Sequence, residues 1–169
     1  MQSGQVVLVD TNIIIEAVRT GCWNAITTHF TVETVQKCCE EARTGQAHRP
    51  GYVKVDESTL RTRLTAHAVS GVTLFRLAQR YRDADRLDAG ERHLWAHALT
   101  RTDSWFATCS DRAAVNAAVR LGWEDRLVSL EQLVSAAGAR SALRSLKGQF
   151  SSARLSEWRT AALIARGLK

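Results

Sequence analysis

The chain has 169 residues and a formal net charge of +6, and 45% of its residues are hydrophobic. This size suits a single domain that can bury a full core without disulfides or metals. No apolar run approaches the roughly 20 residues that span a bilayer, and no signal peptide is visible. The four cysteines include an adjacent pair and no Cys-x-x-Cys spacing. They argue against a disulfide framework or a zinc cage and favour a reducing, cytoplasmic location.

Strand-like and helix-like segments alternate along the chain. Strands are predicted at about residues 6–9, 30–32, 105–109 and 126–128. Helices are predicted at about 11–19, 33–43, 57–66, 72–81, 89–100, 112–121, 130–137, 139–146 and 152–165, and residues 44–55 are predicted to form a loop. Such alternation predicts an α/β fold with a parallel sheet flanked by helices. Residues 1–138 are expected to form the main domain, and residues 139–169 a basic helical extension of it.

The positive charge is concentrated in that extension. Residues 140–169 carry seven basic side chains and one acidic side chain, whereas residues 1–139 carry sixteen of each kind. A neutral body with a basic tail suits a polyanionic partner, and a solvated helix face explains the charge equally well.

Acidic residues recur where a predicted strand or loop gives way to a helix: Asp10, Glu33, Asp88, Glu91 and Asp111. Each alone is explained as a helix cap, and Asp88 and Glu91 have the spacing of a capping box. Capping explains the whole set less well, because Ser, Thr and Asn cap helices as well as Asp does. These junctions also lie beyond the carboxyl ends of the strands, where functional groups gather in an open α/β sheet. Carboxylates about 4 Å apart repel by about 4 kcal/mol at an effective dielectric of about 20, so such crowding calls for a cation. Oxygen ligands suit Mg²⁺ or Mn²⁺, which serve in phosphodiester hydrolysis.

Three stretches resemble, in this order, the motifs of the PIN-domain nucleases: VVLVDTNIIIEA at 6–17, LDAGERHLWAHA at 87–98 and FATCSDRAA at 106–114. The resemblance covers about residues 5–137. It implies a PIN-like parallel sheet sandwiched by helices, an acidic pocket for Mg²⁺ or Mn²⁺, and metal-dependent cleavage of RNA. Many small bacterial members are toxins of the VapC type that a cognate antitoxin holds inactive. RNA and an antitoxin protein are therefore the partners that the resemblance implies.

The resemblance also assigns site residues. Asp10, Glu91 and Asp111 match the first, third and fourth family acids and are expected to hold the metal. The second acid is assigned to Glu33, with Glu40 as the alternative, because the usual glutamate position is occupied by a lysine. Expected supporting residues are Thr11, Asn12, Asp88 and Ser110. Candidate substrate contacts are the basic side chains of Lys37, Arg112, Arg154, Arg159 and Arg166.

Other interpretations stay open. A catalytically silent PIN-like module that binds RNA or protein is the alternative function, although the retained acids favour catalysis. His93 and His97 stand four apart on a predicted helix, as zinc ligands can, but the glutamate of a His-Glu-x-x-His motif is missing, which favours packing or a surface position. The last helix carries an apolar stripe and could pack on the body or on a second subunit of a homodimer rather than bind RNA.

Overall fold

The computed structural model describes residues 1–44, 55–56, 58, 60 and 63–167. Its parallel strands are β1 (Val6–Val9), β2 (Thr31–Val35), β3 (Thr65–His67) and β4 (Trp105–Thr108), in the sheet order β3-β2-β1-β4. The α-helices, numbered over the described residues, are α1 (Thr11–Arg19), α2 (Trp23–His29), α3 (Gln36–Thr44), α4 (Gly71–Arg80), α5 (Ala89–Ala98), α6 (Arg112–Arg120), α7 (Leu130–Ala136) and α8 (Ser152–Gly167). The predicted α/β fold, a parallel sheet flanked by helices with a helical C-terminal extension, is confirmed.

The sheet is buried on both faces, as parallel sheets are. Val7 and Val9 point into one core, which they share with α1, α2 and α7. Leu8 points into the other core, which it shares with α5 and α6. All three side chains are fully buried, which explains why β1 is an uninterrupted aliphatic run. β1 lies between β2 and β4, so the chain leaves the end of β1 at the middle of the sheet.

The segment around β2 differs from its prediction. The strand extends to Val35 and the helix starts only at Gln36, so Glu33 lies on a strand and the prediction that it lies on a helix is wrong. Threonine and valine occupy positions 31, 32, 34 and 35, and such β-branched residues favour a strand. Helix α2 was not predicted. Gly21, with φ of +73°, ends α1 in a conformation that favours glycine and lets a second helix begin at once.

Several other boundaries are corrected. The helix predicted at about 57–66 ends earlier, because Thr65 and Ala66 belong to edge strand β3. Within the predicted range, Ser58 and Leu60 are helical, and residues 57, 59, 61 and 62 lie outside the described part. The strand predicted at 126–128 is reduced to one bridge between Leu127 and Ala107. The helix predicted at 139–146 is the 3-10 helix Arg140–Ser145. The predicted 44–55 loop lies largely outside the described residues.

Helix α8 packs on the body. Its buried Leu155 belongs to the same core as Ala114 and Val115 of α6, and Ala162 is buried as well. None of the helices in the described part of the chain combines the length and apolar character that crossing a bilayer requires.

Candidate active site

The candidate site lies where the direction of strand succession reverses. From β1 the chain proceeds to β2 and then β3 on one side, and β4 is added on the other side of β1. In open α/β sheets, ligands bind beyond the carboxyl ends of the strands at such a switch point. Asp10 follows β1 directly, and Asp111 stands three residues after β4.

Asp10 is a buried helix cap. Its Oδ1 accepts a hydrogen bond from the backbone N–H of Ile13 at 2.8 Å, and its Oδ2 accepts a long one from Ser110 at 3.4 Å. Only 2% of Asp10 is exposed, and burial raises the pKa of its carboxyl to about 7, against the lowering effect of the two backbone bonds. Serine or asparagine would cap α1 equally well without a desolvated charge. Capping therefore does not account for a carboxylate at this position.

Glu91 forms the predicted capping box with Asp88 at the start of α5. The Asp88 Oδ1 accepts from the Glu91 N–H at 2.7 Å, and the Glu91 Oε2 accepts from the Asp88 N–H at 3.3 Å. Glu91 Oε1 is buried and has no hydrogen-bond partner among the described residues. Burial, followed by the charges of Asp88, Asp111 and Asp10, raises the pKa of Glu91 to about 8. The effect of these charges on Glu91 indicates that Asp10, Asp88 and Asp111 lie close to it and form an acidic pocket with it.

Asp111 closes this pocket from the β4 side. It caps α6, where its Oδ1 accepts from the N–H of Ala113 at 2.6 Å, and it is exposed to solvent. No lysine, arginine or histidine in the described part of the chain forms an ion pair with Asp10, Glu91 or Asp111. The negative charge of the pocket is thus uncompensated by described side chains.

A further acid, which the sequence did not single out, reaches the same place. Glu41 of α3 accepts a hydrogen bond from Thr11 Oγ1 at 2.8 Å, one residue after Asp10. The neighbouring Cys38 is fully buried, and burial raises the pKa of its thiol to about 12, so it stays neutral. Gly90 lies against the side chains of Glu41 and Cys38. Glu41 of α3 therefore lies beside Thr11 and Gly90, next in the chain to Asp10 and Glu91, whereas the exposed Glu40 pairs with Lys37.

Replacing Gly90 with alanine is expected to disturb the pocket without unfolding the protein. The added Cβ would lie 2.5 Å from Glu41 Oε2, 3.1 Å from Cys38 Sγ and 3.2 Å from Thr11 Oγ1. The Glu41 carboxylate is the part that can move, so it should leave Thr11 while the fold survives. We expect a loss of about tenfold or more in any metal-dependent activity, which is typical when a supporting contact is lost.

The matched control for this change is Gly71→Ala at the start of α4, because a Cβ there meets nothing within 4 Å. Activity and thermal unfolding of both variants give the comparison. Equal activity of the two alanine variants would show that the Glu41–Thr11 contact is dispensable.

Glu33 belongs to a different cluster on the same side of the sheet. Its Oε2 lies 2.7 Å from His67 Nε2 and 3.9 Å from His97 Nε2, and Arg101 donates to both of its oxygens. The His67 and His97 rings stack with centroids 4.2 Å apart. Although Glu33, His67 and His97 could together hold a metal ion, the Arg101 guanidinium already compensates the carboxylate. This cluster is best described as a buried ion pair with two histidines.

Replacing Glu33 with glutamine should therefore cost stability rather than catalysis. Arg101, whose side chain is 11% exposed, would lose a charged partner and keep Asp103, with which it pairs at 2.5 Å. We expect a loss of about 1.5 to 3 kcal/mol in the free energy of unfolding, the usual value of a hydrogen bond to a charged group. Urea denaturation measures this effect.

The control for Glu33→Gln is Glu40→Gln. Glu40 is exposed, and its side chain pairs with Lys37 at 3.2 Å, so its change should stay within about 0.5 kcal/mol. Loss of metal-dependent activity in folded Glu33→Gln would instead return Glu33 to the catalytic set that the sequence predicted.

The remaining predicted residues divide into two groups. Ser110 lies at the pocket, where its buried Oγ has no partner among the described residues. Asn12 is exposed, and Lys37 bonds to Glu40 away from the pocket acids. His93 Nδ1 lies 2.7 Å from the carbonyl oxygen of Ala89, so its ring is held by its own helix.

The basic side chains of α8 contact the protein itself. Arg166 pairs with Glu124 at 2.6 Å and donates to the carbonyl of Val119 at 2.7 Å. Arg159 donates to the carbonyl of Glu124 at 3.4 Å, and Arg154 pairs with Glu157 at 2.7 Å. The contacts of Arg166 and Arg159 favour the alternative in which α8 packs on the body over the one in which it binds RNA, whereas the exposed Arg154–Glu157 pair lies within α8 and favours neither.

The chain was compared with family models, curated proteins and solved structures. No match was found. The residues from which a function can be inferred are the acids of the pocket, namely Asp10, Glu41, Asp88, Glu91 and Asp111.

The chemistry of these residues suits a hard divalent cation, but their oxygens are not gathered around one point as the ligand atoms of Glu33, His67 and His97 are, which lie within 4.8 Å of one another. All the donors are oxygens, and two of the buried ones, Glu91 Oε1 and Ser110 Oγ, have no partner in the described structure. Mg²⁺ and Mn²⁺ prefer oxygen ligands, and a cation would offset the burial, and to a lesser extent the repulsion between the acids, that raises the pKa values of Asp10 and Glu91. We refer to Asp10, Glu41, Asp88, Glu91 and Asp111 as the acidic pocket.

Proposed function

We propose that the protein is a metal-dependent endoribonuclease of the PIN-domain type. The observation that carries the proposal is the pair of buried carboxyls, Asp10 and Glu91, that face other acids at the switch point of a parallel sheet without a cationic partner in the described structure. The three motifs resemble those of PIN-domain nucleases, and the carboxyls of Asp10, Glu91 and Asp111, to which the resemblance assigns the metal, lie close enough to influence one another. We propose Glu41, in place of the predicted Glu33 or Glu40, as the second acid that the resemblance implies.

Each acid has a distinct part in the proposed site. Asp10, Glu91 and Asp111 would hold Mg²⁺ or Mn²⁺, directly or through water. Asp88 fixes the first turn of α5, which carries Glu91, and Thr11 fixes the Glu41 carboxylate. A bound divalent cation supplies activation of water and neutralises charge on the departing oxygen of a phosphodiester. The protein therefore needs no nucleophilic side chain.

Protonation controls the occupancy of this site. Asp10 and Glu91 hold protons up to a pH of about 7 and about 8, and must release them when they bind a cation. Cation affinity should thus increase with pH across the neutral range, and binding should release protons. A silent RNA-binding module would have no need for this costly arrangement, which is why the retained acids favour catalysis.

The test is to incubate the purified protein with total cellular RNA in the presence of Mg²⁺, Mn²⁺ or a chelator, and to map new RNA ends. We expect new ends with either metal and none with the chelator. RNA that is bound but left intact under all three conditions would support the silent module. Ends at one or a few sites in a single RNA class would point to a toxin, and dispersed ends to a general nuclease.

A further inference from the structure

A groove of about 420 Å³ lies beside the acidic pocket, between α6, α8 and the 3-10 helix Ala84–Arg86. The lining residues of this groove that carry polar or aromatic side chains able to contact a nucleic acid are Tyr81, Arg86, Arg112, Asn116 and Arg120. The groove adjoins the pocket at two points. Arg112 follows Asp111 directly in the chain, and Arg86 precedes Asp88 by two residues.

The α6 wall presents its polar residues in one row. Arg112, Asn116 and Arg120 are spaced four apart, so they lie on one face of the helix over about 12 Å. The α8 wall contributes Ala162 and Ala165, whose small side chains leave the groove open. The result is a slot with basic groups along one side that starts at Asp111.

The arginines of the groove are largely available to a ligand. No described residue forms a hydrogen bond or ion pair with the Arg112 guanidinium, which is exposed. Arg86 pairs with Asp83 at 3.5 Å, and the Arg86 side chain is 76% exposed, so that pair contributes little. Arg120 donates one bond, at 3.2 Å, to the carbonyl of Ala165. Among the described residues that line the groove, Asp83 is the one acid against three arginines.

We propose that this groove holds the sugar-phosphate backbone of single-stranded RNA on one side of the scissile bond. Arginine suits phosphate because its guanidinium offers several donors in a planar array. Asn116 and Tyr81 add the hydrogen-bonding and stacking groups with which proteins hold unpaired nucleotides. The assignment of RNA as the polyanion rests on the proposed function. It replaces Arg154, Arg159 and Arg166 of α8, which bond within the protein, as the main phosphate contacts.

The test measures binding of a fluorescent single-stranded RNA to the metal-free full chain as salt is increased, with chelator present so that no cleavage occurs. The variant is Arg112→Gln/Arg120→Gln. Loss of two phosphate contacts should flatten the log-log salt slope by about 1.4, at about 0.7 per contact. Arg112→Gln alone removes no contact within the described structure and should flatten the slope by about 0.7. Because this single change does not break a bond to α8, its effect cannot come from a displacement of that helix.

The control is Arg140→Gln/Arg144→Gln, which removes two exposed charges from the 3-10 helix Arg140–Ser145 on the opposite face of the sheet. Its salt slope should equal that of the wild type. Wild-type slopes for both groove variants would overturn the assignment and leave the groove to an acidic protein segment. Cleavage of the same RNA by the wild type with Mn²⁺ is measured separately. Flattened slopes in the groove variants without cleavage by the wild type would support RNA binding in the groove and contradict the proposed nuclease activity. Cleavage by the wild type with unchanged slopes in the groove variants would support the nuclease activity and contradict RNA binding in the groove.

Discussion

Asp10→Asn is expected to abolish metal-dependent RNA cleavage while the fold survives. Asparagine keeps the cap, because its amide oxygen can still accept from the N–H of Ile13, and Asn caps helices as well as Asp does. It removes the central charge of the acidic pocket. The rate should decrease by more than about 100-fold, because losing groups that only support metal ligands already costs about 10 to 100-fold.

The same variant should be more stable than the wild type in chelator at about pH 8, where the buried Asp10 carboxylate of the wild type is ionised. Asp125→Asn is the control, since Asp125 is exposed on the 3-10 helix Glu124–Arg126, and it should change neither property. Wild-type cleavage by purified Asp10→Asn, free of contaminating nuclease, would remove Asp10 from the mechanism.

The stability of the metal-free protein should decrease as pH rises through the neutral range. In an unfolded chain the carboxyls of Asp10 and Glu91 have their ordinary pKa values of 3.8 and 4.5, whereas in the folded protein the pKa values are about 7 and about 8. Between these limits the folded protein binds more protons than the unfolded chain, so raising the pH favours unfolding. Each group contributes a slope of up to about 1.4 kcal/mol per pH unit within its window.

Other groups shape the same curve, so a variant must isolate the effect. Burial lowers the pKa of His97, which makes stability rise with pH just below 6.5, the opposite direction. Urea denaturation of wild type and Glu91→Gln from about pH 5 to about pH 8.5 gives the difference. We expect the free energy of unfolding of Glu91→Gln to decrease less steeply with pH than that of the wild type. Addition of Mn²⁺ should restore the stability that the wild type loses as the pH rises. A wild-type curve that rises across this range, parallel to that of Glu91→Gln, would contradict the proposed burial of the Glu91 charge.

Local chemistry made parts of the site predictable. The aliphatic run before Asp10 could only be a buried strand, and an acid at its end had to lie at the carboxyl edge of the sheet. Asp88 and Glu91 have the spacing of a capping box, and the structure contains that box. Asp111 caps the helix that follows the last strand, Trp105–Thr108, three residues after that strand ends. These assignments depend on neighbours in sequence, which a single chain displays.

The acids of β2 and α3 depend on packing between distant segments. The charge of Glu33 suggested a helix start, whereas its strand position is stabilised by Arg101, 68 residues away. Whether Glu40 or Glu41 faces the pocket is decided by the burial of Cys38 and Ala42, which orients α3 against Gly90. Periodicity alone does not reveal such partners.

A calorimetric titration of metal-free protein with Mn²⁺ at about pH 8, without RNA, shows whether the acidic pocket is a cation site. It compares wild type, Asp10→Asn and Asp125→Asn. If the acidic pocket binds a cation, the wild type and Asp125→Asn should bind Mn²⁺ with equal affinity and release protons. Asp10→Asn should bind it at least about 100-fold more weakly. Absence of Mn²⁺ binding by the wild type, or equal binding by all three proteins, would contradict the claim that the acidic pocket is a cation site.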